Sequence, residues 1–436
     1  MASFQIEGGH PLNGAVTPSG NKNAALPLMT SCLMTDEPVT LHNVPDIGDV
    51  DTMRSLLDSL GVEQEQLGRG SLRLRAHAAV RGRLDPELCR RIRASILLAG
   101  PMLSRFGGID LPPPGGDVIG RRRVDTHLLA LKHLGAEVGY NQREFHMEAP
   151  GRLRGGQVLL DEASVTATEN AIMGAVRAKE SSVIRNAASE PHVQELCHFL
   201  NGLGAKIRNI GSNTLEIEGV ERLHGGEYTI GPDYLEVVSF IAAASVTGGS
   251  VRIRKAAPQH LDMIRLVFNR LGVDWVDEEG DILVAPRPTL EVQSDLGGFV
   301  PEITVMPWPA FPTDLVSIAI VVASQAKGSV LFHDWMYPSR MFFVDKLVSM
   351  GARIILCDPH RCIVEGPTQL IGEHLDSPDI RAGMALVLAA LAAKGTSTIR
   401  NVGQIERGYE RIDEKLRQLG AQIERVNDAT PPQPVD

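Results

Sequence analysis

Hydrophobic and polar positions along this chain repeat one pattern of helices and strands. A helical pattern, as in 260–270, ends at a Leu or Met that is followed by Gly and a small apolar residue. That glycine stands where a left-handed residue ends a helix, and the runs behind it, as in 205–208 and 213–218, predict a hairpin. A more apolar helix and a strand lie upstream, as in 240–247 and 250–253. Each unit therefore reads helix, strand, helix, strand, strand.

The glycine signature occurs six times, which divides the 436 residues into units of about 70 residues. Its glycines lie between 68 and 79 residues apart, at Gly61, Gly135, Gly204, Gly272, Gly351 and Gly420. The runs 383–393 and 315–323 are apolar nearly all round, which predicts helices buried in a core, and both are too short to cross a membrane. A single core is improbable at this length, so we expect two α/β domains of three units each, with sheets outside and these helices inside.

Composition narrows the class of protein only modestly. The formal net charge of −10 argues against a general nucleic-acid binder, though not against local basic clusters. The five cysteines have neither a metal-binding nor a disulfide spacing, so we expect no metal. The start of the chain lacks a basic and apolar leader, and a reduced cytoplasmic compartment without a membrane partner is the default expectation.

Polar residues cluster where the buried helices are predicted to begin. Before one of them, Ser377 is a candidate N-cap, Pro378 takes the first helical position and Asp379 lies in the first turn. Arg381 in that turn is disfavoured by the helix dipole unless an anion binds there. If the three buried helices of a domain point in the same direction by pseudo-symmetry, their N-termini converge on one face of that domain. Two such faces, one from each domain, would form a cleft for a multiply anionic ligand. Basic residues gather at matching places, at Lys22, Arg91, Arg93, Arg121, Arg122, Arg123, Arg340, Arg381, Arg407 and Arg411.

Three acids are candidates for a catalytic role. Asp314 directly precedes the apolar run 315–323, and a carboxyl group that borders buried surface is prone to pKa shifts. Asp379 is equally explained as an acid that complements the helix dipole, and Asp117 as a turn former in a loop rich in Pro and Gly. From the residues alone, each acid is as readily structural as catalytic.

Several motifs together resemble the enolpyruvyl transferases, from residue 4 to about 426. They are Ser19-Gly-Asn-Lys-Asn-Ala24, Arg93-Ala-Ser95, Gly115-Gly-Asp-Val-Ile-Gly120, Val165-Thr-Ala-Thr-Glu-Asn170, Phe311-Pro-Thr-Asp314, Asp379-Ile-Arg381 and Arg407-Gly-Tyr-Glu-Arg411. The resemblance implies two inside-out α/β barrel-like domains, each of three pseudo-symmetric repeats. We expect the first domain at 22–231, with a mobile loop at 111–123, and the second at 1–21 plus 232–436, with an insertion near 286–308 and a disordered tail at 427–436.

The resemblance also implies a reaction without metal or organic cofactor. The enolpyruvyl group of phosphoenolpyruvate is transferred to the 3-hydroxyl of UDP-N-acetylglucosamine by addition and elimination, with release of phosphate, in the first committed step of peptidoglycan synthesis. Because both substrates are anionic small molecules, the site needs several preorganised cations.

Roles for individual residues are implied by the same resemblance. Asn23 would hydrogen-bond the tetrahedral intermediate, Asp314 would deprotonate the 3-hydroxyl, Asp379 would orient the cations, and Asp125 matches the uridine contact. The phosphate of phosphoenolpyruvate would be held by Lys22, Arg122 and Arg407, and the cationic cluster would be completed by Arg93 and Arg381. Arg340 is a further candidate for substrate binding.

One departure from the family changes the chemistry of the loop. Most members carry a cysteine where this chain has Asp117, and the epoxide fosfomycin inactivates them by alkylating that cysteine. A carboxyl group is able to perform the proton transfer to the methylene carbon, so the substitution is compatible with catalysis and predicts insensitivity to fosfomycin.

Other departures leave the acceptor open. Tyr234 replaces a family arginine, Arg123 replaces a proline, and 338–341 differ from the usual segment. A divergent paralogue acting on another nucleotide or nucleotide sugar therefore stays in view, as does a non-catalytic regulatory paralogue. A sliding clamp also has six pseudo-repeats, but its basic residues would spread around a ring, whereas these gather at helix starts and one loop.

Overall fold

The computed structural model describes residues 2–117, 119–120 and 122–427. These form two units. The N-terminal unit holds residues 20–117 and 122–231, and the C-terminal unit holds residues 2–19, 119–120 and 232–427. Apart from Asn427, the expected disordered tail lies outside the described residues, as does the basic residue Arg121.

The N-terminal unit contains seven described α-helices and eleven described strands. Its helices are Lys22–Ser31, Gly48–Ser59, Pro86–Arg91, Ala99–Phe106, Asp125–His133, Val165–Val176 and Pro191–Gly202, with 3-10 turns at Cys32–Met34 and Arg93–Leu98. Its strands are Val39–His42, Glu63–Gly68, Ser71–Arg75, Gly108–Leu111, Glu137–Tyr140, Phe145–Glu148, Gly156–Leu159, Ser182–Arg185, Lys206–Arg208, Thr214–Glu218 and Gly226–Thr229.

The C-terminal unit contains seven described α-helices and thirteen described strands. Its helices are Tyr234–Thr247, Asp262–Arg270, Val316–Gln325, Val344–Ser349, Ile380–Ala392, Gly403–Glu406 and Ile412–Gln418, with 3-10 turns at Pro258–His260, Thr313–Leu315 and Arg340–Phe343. Its strands are Ala2–Glu7, Asn13–Val16, Ser250–Ile253, Val276–Glu278, Asp281–Val284, Leu290–Glu291, Glu302–Thr304, Ala326–His333, Arg353–Asp358, Arg361–Gly366, His374–Asp376, Thr396–Arg400 and Gln422–Asn427.

All six signature glycines end a helix in the left-handed conformation, as predicted. Their φ angles run from 79° to 98°. Each helix closes with the same two reverse hydrogen bonds. At the first, the amide of Gly61 donates to the carbonyl of Asp58 at 2.8 Å and the amide of Val62 donates to that of Leu57 at 3.1 Å. This double closure satisfies two carbonyls that the helix leaves open, and a Cβ at the glycine would strain it.

A hairpin follows the signature in five of the six repeats, and the prediction of a sixth hairpin was wrong. In the last repeat Gln422–Asn427 pairs antiparallel with Ala2–Glu7, so the second strand comes from the start of the chain. The insertion near 286–308 contains two short strands, Leu290–Glu291 and Glu302–Thr304, and both pair in parallel with Ala326–His333.

Three apolar helices form the middle of each unit, and the described strands make six separate sheets around them. In the C-terminal unit these helices are Tyr234–Thr247, Val316–Gln325 and Ile380–Ala392, which pack on one another. Residues 380 to 391 of the last one are all buried, and apart from Arg381 at its start the helix is apolar on every side. The expected fold class, with buried helices inside outer sheets, is confirmed.

Candidate active site

Asp314 lies between two buried arginines at one end of the C-terminal unit. Arg340 donates from Nη2 to Asp314 Oδ1 at 2.8 Å, and Nε of Arg381 lies 3.5 Å from Oδ2. The side chains of the two arginines are only 3% and 6% exposed, whereas that of Asp314 is 31% exposed. Two guanidinium groups thus hold one carboxylate at the edge of solvent.

The starts of the three buried helices bring these groups together. Asp314 lies in the 3-10 turn Thr313–Leu315, directly before the Val316–Gln325 helix. Asp379 is the N-cap of the Ile380–Ala392 helix, and its side chain accepts from the amides of Arg381 at 2.8 Å and Ala382 at 3.0 Å. Ser377 is therefore not the N-cap, and the predicted helix start was wrong by two positions, so Pro378 precedes the helix and Asp379 lies at the cap and not in the first turn. The third start is capped in the same way by Asp233.

Arg340 is surrounded by acids. Burial lowers its pKa, but the charges of Asp314, Asp379 and Asp334 more than offset that effect, so the pKa lies above its ordinary value. Asp334 is fully buried, and burial raises the pKa of its carboxyl group. It also accepts a hydrogen bond from Thr313 Oγ1 at 2.5 Å, which ties the turn that carries Asp314 to the strand end that precedes Arg340.

Arg381 occupies the second position of its helix and is 5% exposed. Burial lowers its pKa, while Tyr409, Asp314 and Asp233 raise it, with a net rise above the ordinary value. Among the described residues, Nη1 of Arg381 and Nε of Arg340 are buried without a hydrogen-bond partner. Buried donors are rarely left unpaired, so these two nitrogen atoms mark the place where the hydrogen bonding of the two arginines is incomplete. Arg407 follows the short helix Gly403–Glu406 and donates to Gln404 Oε1 at 3.0 Å.

Lys22 begins the first buried helix of the N-terminal unit and is paired with an acid. Its Nζ lies 2.6 Å from Asp49 Oδ2, and the two side chains are 10% and 6% exposed. Asn21 caps this helix by accepting from the amides of Asn23 at 2.8 Å and Ala24 at 3.3 Å, so Asn23 is placed in the first turn. A lysine at a helix start is held there against the dipole by the first-turn acid of the neighbouring helix Gly48–Ser59.

Arg93 and Asp125 both contact Arg123, the last residue of the predicted loop. Arg93 donates from Nη2 to the carbonyl of Arg123 at 2.5 Å. Arg123 in turn pairs with Asp125 at 3.2 Å and with Asp161 at 3.1 Å. Arg122, which directly precedes Arg123 in the sequence, is half-buried. The residue that replaces the family proline, Arg123, therefore has a structural partner on each side.

A buried histidine joins the helix starts of this unit. Asn170 donates to His127 Nδ1 at 2.9 Å and to the carbonyl of Ile96 at 2.9 Å, and Thr166 Oγ1 lies 3.1 Å from His127 Nε2. Burial and the charge of Arg93 lower the pKa of His127 to about 3. The ring is therefore neutral, with the proton on Nε2.

The Gly-rich part of the loop packs directly on the helix Pro86–Arg91, which ends two residues before Arg93. The amide of Gly115 donates to the carbonyl of Cys89 at 3.0 Å, and a Cβ at Gly115 would stand 1.7 Å from the carbonyl oxygen of Arg90. This approach requires glycine, and it places the half-buried Asp117 two residues further on.

Sequence reasoning missed Asp49, Asp334 and Tyr409, each of which is buried against a predicted site residue. The available signal for Asp49 is its place as a first-turn acid, which is common to many helices. In the part of the chain that the structure describes, no three His, Cys, Asp or Glu side chains are grouped as metal ligands. No described helix is long and apolar enough to cross a bilayer.

Comparisons with known proteins agree along nearly the whole chain. The sequence model described as EPSP synthase (3-phosphoshikimate 1-carboxyvinyltransferase) matches residues 6–428. A UDP-N-acetylglucosamine 1-carboxyvinyltransferase of Bradyrhizobium diazoefficiens is 56% identical over 98% of this chain and 99% of its own, and one of Treponema denticola is 51% identical over 97% and 99%. Among solved structures, the enolpyruvyl transferase NikO from Streptomyces tendae aligns with a TM-score of 0.85 and 25% identity over 97% of this chain and 98% of that one.

Proposed function

We propose a function from the premise that this chain belongs to the EPSP synthase family of enolpyruvyl transferases. It transfers the enolpyruvyl group of phosphoenolpyruvate to the 3-hydroxyl of UDP-N-acetylglucosamine and releases phosphate, in the first committed step of peptidoglycan synthesis. The observation that carries the proposal is identity of 46% to 56% to relatives of that name over nearly the full length of both chains.

The arrangement around Asp314 supports this chemistry. In the addition step the 3-hydroxyl oxygen forms a bond to C2 of phosphoenolpyruvate, its proton passes to Asp314, and C3 gains a proton. We assign acceptance of the hydroxyl proton to the carboxylate of Asp314, because this side chain is 31% exposed and therefore reaches the edge of solvent. In the elimination step C3 loses a proton, the bond from C2 to the phosphate oxygen breaks, and the double bond returns.

The cations are assigned to the two anionic groups of phosphoenolpyruvate. Lys22, Arg122 and Arg407 hold its phosphate, and Arg340 and Arg381, whose guanidinium groups lie beside Asp314, are assigned to its carboxylate. Arg93 completes the cationic cluster. A fixed guanidinium needs no reorganisation when charge develops, which is the property that lowers a barrier.

The remaining polar residues receive the other roles. Asn23, in the first turn of its helix, hydrogen-bonds the tetrahedral intermediate. Asp379 orients the cations through its position at the helix start, Asp125 contacts the uridine, and Asp117 transfers the proton to and from C3. We also propose a cytoplasmic location, because phosphoenolpyruvate and nucleotide sugars are cytoplasmic metabolites.

A phosphate-release assay tests the proposed function. The purified protein receives phosphoenolpyruvate and, in separate reactions, UDP-N-acetylglucosamine, other UDP-sugars, free nucleotides or shikimate 3-phosphate, with a chelator present. We expect release only with both phosphoenolpyruvate and UDP-N-acetylglucosamine. Release with a different acceptor and none with this one would refute the acceptor, and silence with every acceptor would favour the regulatory paralogue.

A further inference from the structure

Among the residues that the structure describes, Tyr409 is the largest fully buried side chain, with 1% of its surface exposed. It lies two residues after Arg407 and belongs to the motif Arg407-Gly-Tyr-Glu-Arg411, in which no role has been given to the tyrosine. The guanidinium carbon of Arg381 lies 5.3 Å from the centre of its ring, within the range of a cation–π contact. Tyr409 therefore packs directly against one of the two arginines that hold Asp314.

Gly408 makes this position possible. A Cβ at Gly408 would stand 2.5 Å from Cγ2 of Ile380, the first residue of the helix that carries Arg381. Only glycine lets the backbone approach the helix start so closely, and that approach brings the next side chain beneath Arg381.

The hydrogen bonds of the phenol group have a defined direction. Ser239 Oγ donates to the carbonyl of Leu235 at 2.8 Å, so its one hydrogen is committed to that bond. Tyr409 Oη lies 3.1 Å from Ser239 Oγ and must be the donor in that contact. The lone pairs of the phenol oxygen are then left to accept from Arg381, with which it also forms a hydrogen bond.

We propose that Tyr409 is a positioning residue for the transfer reaction: its hydroxyl and ring fix the guanidinium of Arg381 so that Nε stays beside Asp314 Oδ2, at 3.5 Å. A buried phenylalanine would fill the same volume and keep the ring contact. The hydroxyl is therefore the part of the side chain that an orienting role requires and that packing alone does not.

Tyr409→Phe removes this oxygen and nothing else. We expect kcat to fall about 10-fold, the loss typical of one hydrogen bond to a charged group, and the KM for UDP-N-acetylglucosamine to change less than about twofold. The matched control is Tyr228→Phe, which removes a partly buried phenol hydroxyl from the N-terminal unit and should leave kcat unchanged. Unchanged kcat in Tyr409→Phe would overturn the inference.

A double-mutant cycle separates positioning from general packing. In an Arg381→Lys background the guanidinium is gone, so adding Tyr409→Phe should lower kcat less than about twofold further. If the two losses multiply, the hydroxyl acts independently of Arg381 and the inference is wrong.

One readout does not depend on turnover, which matters because the kinetic test rests on the proposed function. In the ¹⁵N-labelled full-length protein, the Nε–H signal of Arg381 is identified by its absence from Arg381→Lys. We expect slow exchange with solvent in the parent and an exchange rate at least about 10-fold faster in Tyr409→Phe, in line with the loss of a charged hydrogen bond. An inactive parent that shows this change would refute the proposed function alone, whereas identical exchange rates would refute the role of Tyr409 alone.

Discussion

Replacement of Asp314 by Asn is the most direct test of the site. The amide has the shape of the carboxylate but cannot take up a proton at neutral pH. If Asp314 deprotonates the 3-hydroxyl, turnover should fall by about 100-fold or more, the usual loss when a general base is removed. Binding of UDP-N-acetylglucosamine should survive, because the proposed uridine contact, Asp125, belongs to a different helix.

The effect of Asp314→Asn on stability also follows from the contacts. Breaking an isolated buried ion pair costs about 3–5 kcal/mol, because it leaves a charge without compensation. Here Arg340 keeps the charges of Asp334 and Asp379, and Arg381 keeps that of Asp233. Asp314 is also 31% exposed, so solvent screens part of its interaction. We expect the free energy of unfolding to fall by only about 1–2 kcal/mol, which leaves the variant folded at 25 °C.

Three measurements on one preparation decide the matter. Phosphate release gives kcat, calorimetric titration gives the affinity for the nucleotide sugar, and urea unfolding gives the change in stability. The matched control is Asp262→Asn, an exposed acid at the start of another helix in the same unit, which should leave all three unchanged. A folded Asp314→Asn protein that keeps more than a tenth of the parent kcat would show that the base lies elsewhere.

Three further predictions use other parts of the chain. Asp117→Cys should stay active and become sensitive to fosfomycin, to which the parent should be insensitive because a carboxylate attacks epoxides poorly; covalent labelling of the parent, seen by mass spectrometry, would contradict this. Burial raises the pKa of Glu195 from 4.5 to about 7, although the amide of Gly231 donates to it at 2.7 Å. The folded state therefore holds a proton that the unfolded state releases between pH 4.5 and 7, and stability falls as pH rises through that window. Urea unfolding at pH 5 and at pH 8 should show that the free energy of unfolding of Glu195→Gln, relative to that of the parent, is higher at pH 8 than at pH 5. The same relative value at both pH values would refute this. Arg105 donates to the carbonyls of Leu33 at 2.9 Å and Thr35 at 2.7 Å, so Arg105→Met should lower the free energy of unfolding by about 2–4 kcal/mol without changing kcat at 25 °C. A loss below about 0.5 kcal/mol would show that these two hydrogen bonds do not stabilise the fold.

Local rules made the helix ends and the buried helices predictable from the sequence. A glycine after Leu or Met closes each helix through bonds to residues only a few positions earlier, so neighbouring residues contain all the information needed. The same is true of helices that are apolar on every side. The last hairpin could not be predicted, because its second strand, Ala2–Glu7, comes from the other end of the chain.

The candidate site was predictable in its residue types but not in its contacts. Arg381 attracted attention because a cation is unfavourable at a helix start. Its packing partner Tyr409 and the acid Asp334 gave no such signal, since a lone Tyr or Asp is ordinary in any sequence. Their positions depend on how separate helices and strands pack, which composition and spacing do not determine. The roles of the individual site residues remain predictions that the experiments above test.

The charges in the C-terminal unit suggest how an anion is recognised there. The sequence predicted a cluster of cations, yet Arg340 and Arg381 stand among four carboxylates, at Asp233, Asp314, Asp334 and Asp379. Net positive charge at these helix starts is therefore not what attracts a ligand. The acids compensate the two buried charges and fix both guanidinium planes, while Nε of Arg340 and Nη1 of Arg381 stay unpartnered among the described residues. A ligand carboxylate at these helix starts therefore meets guanidinium groups whose orientation is already fixed, so recognition rests on direction more than on total charge.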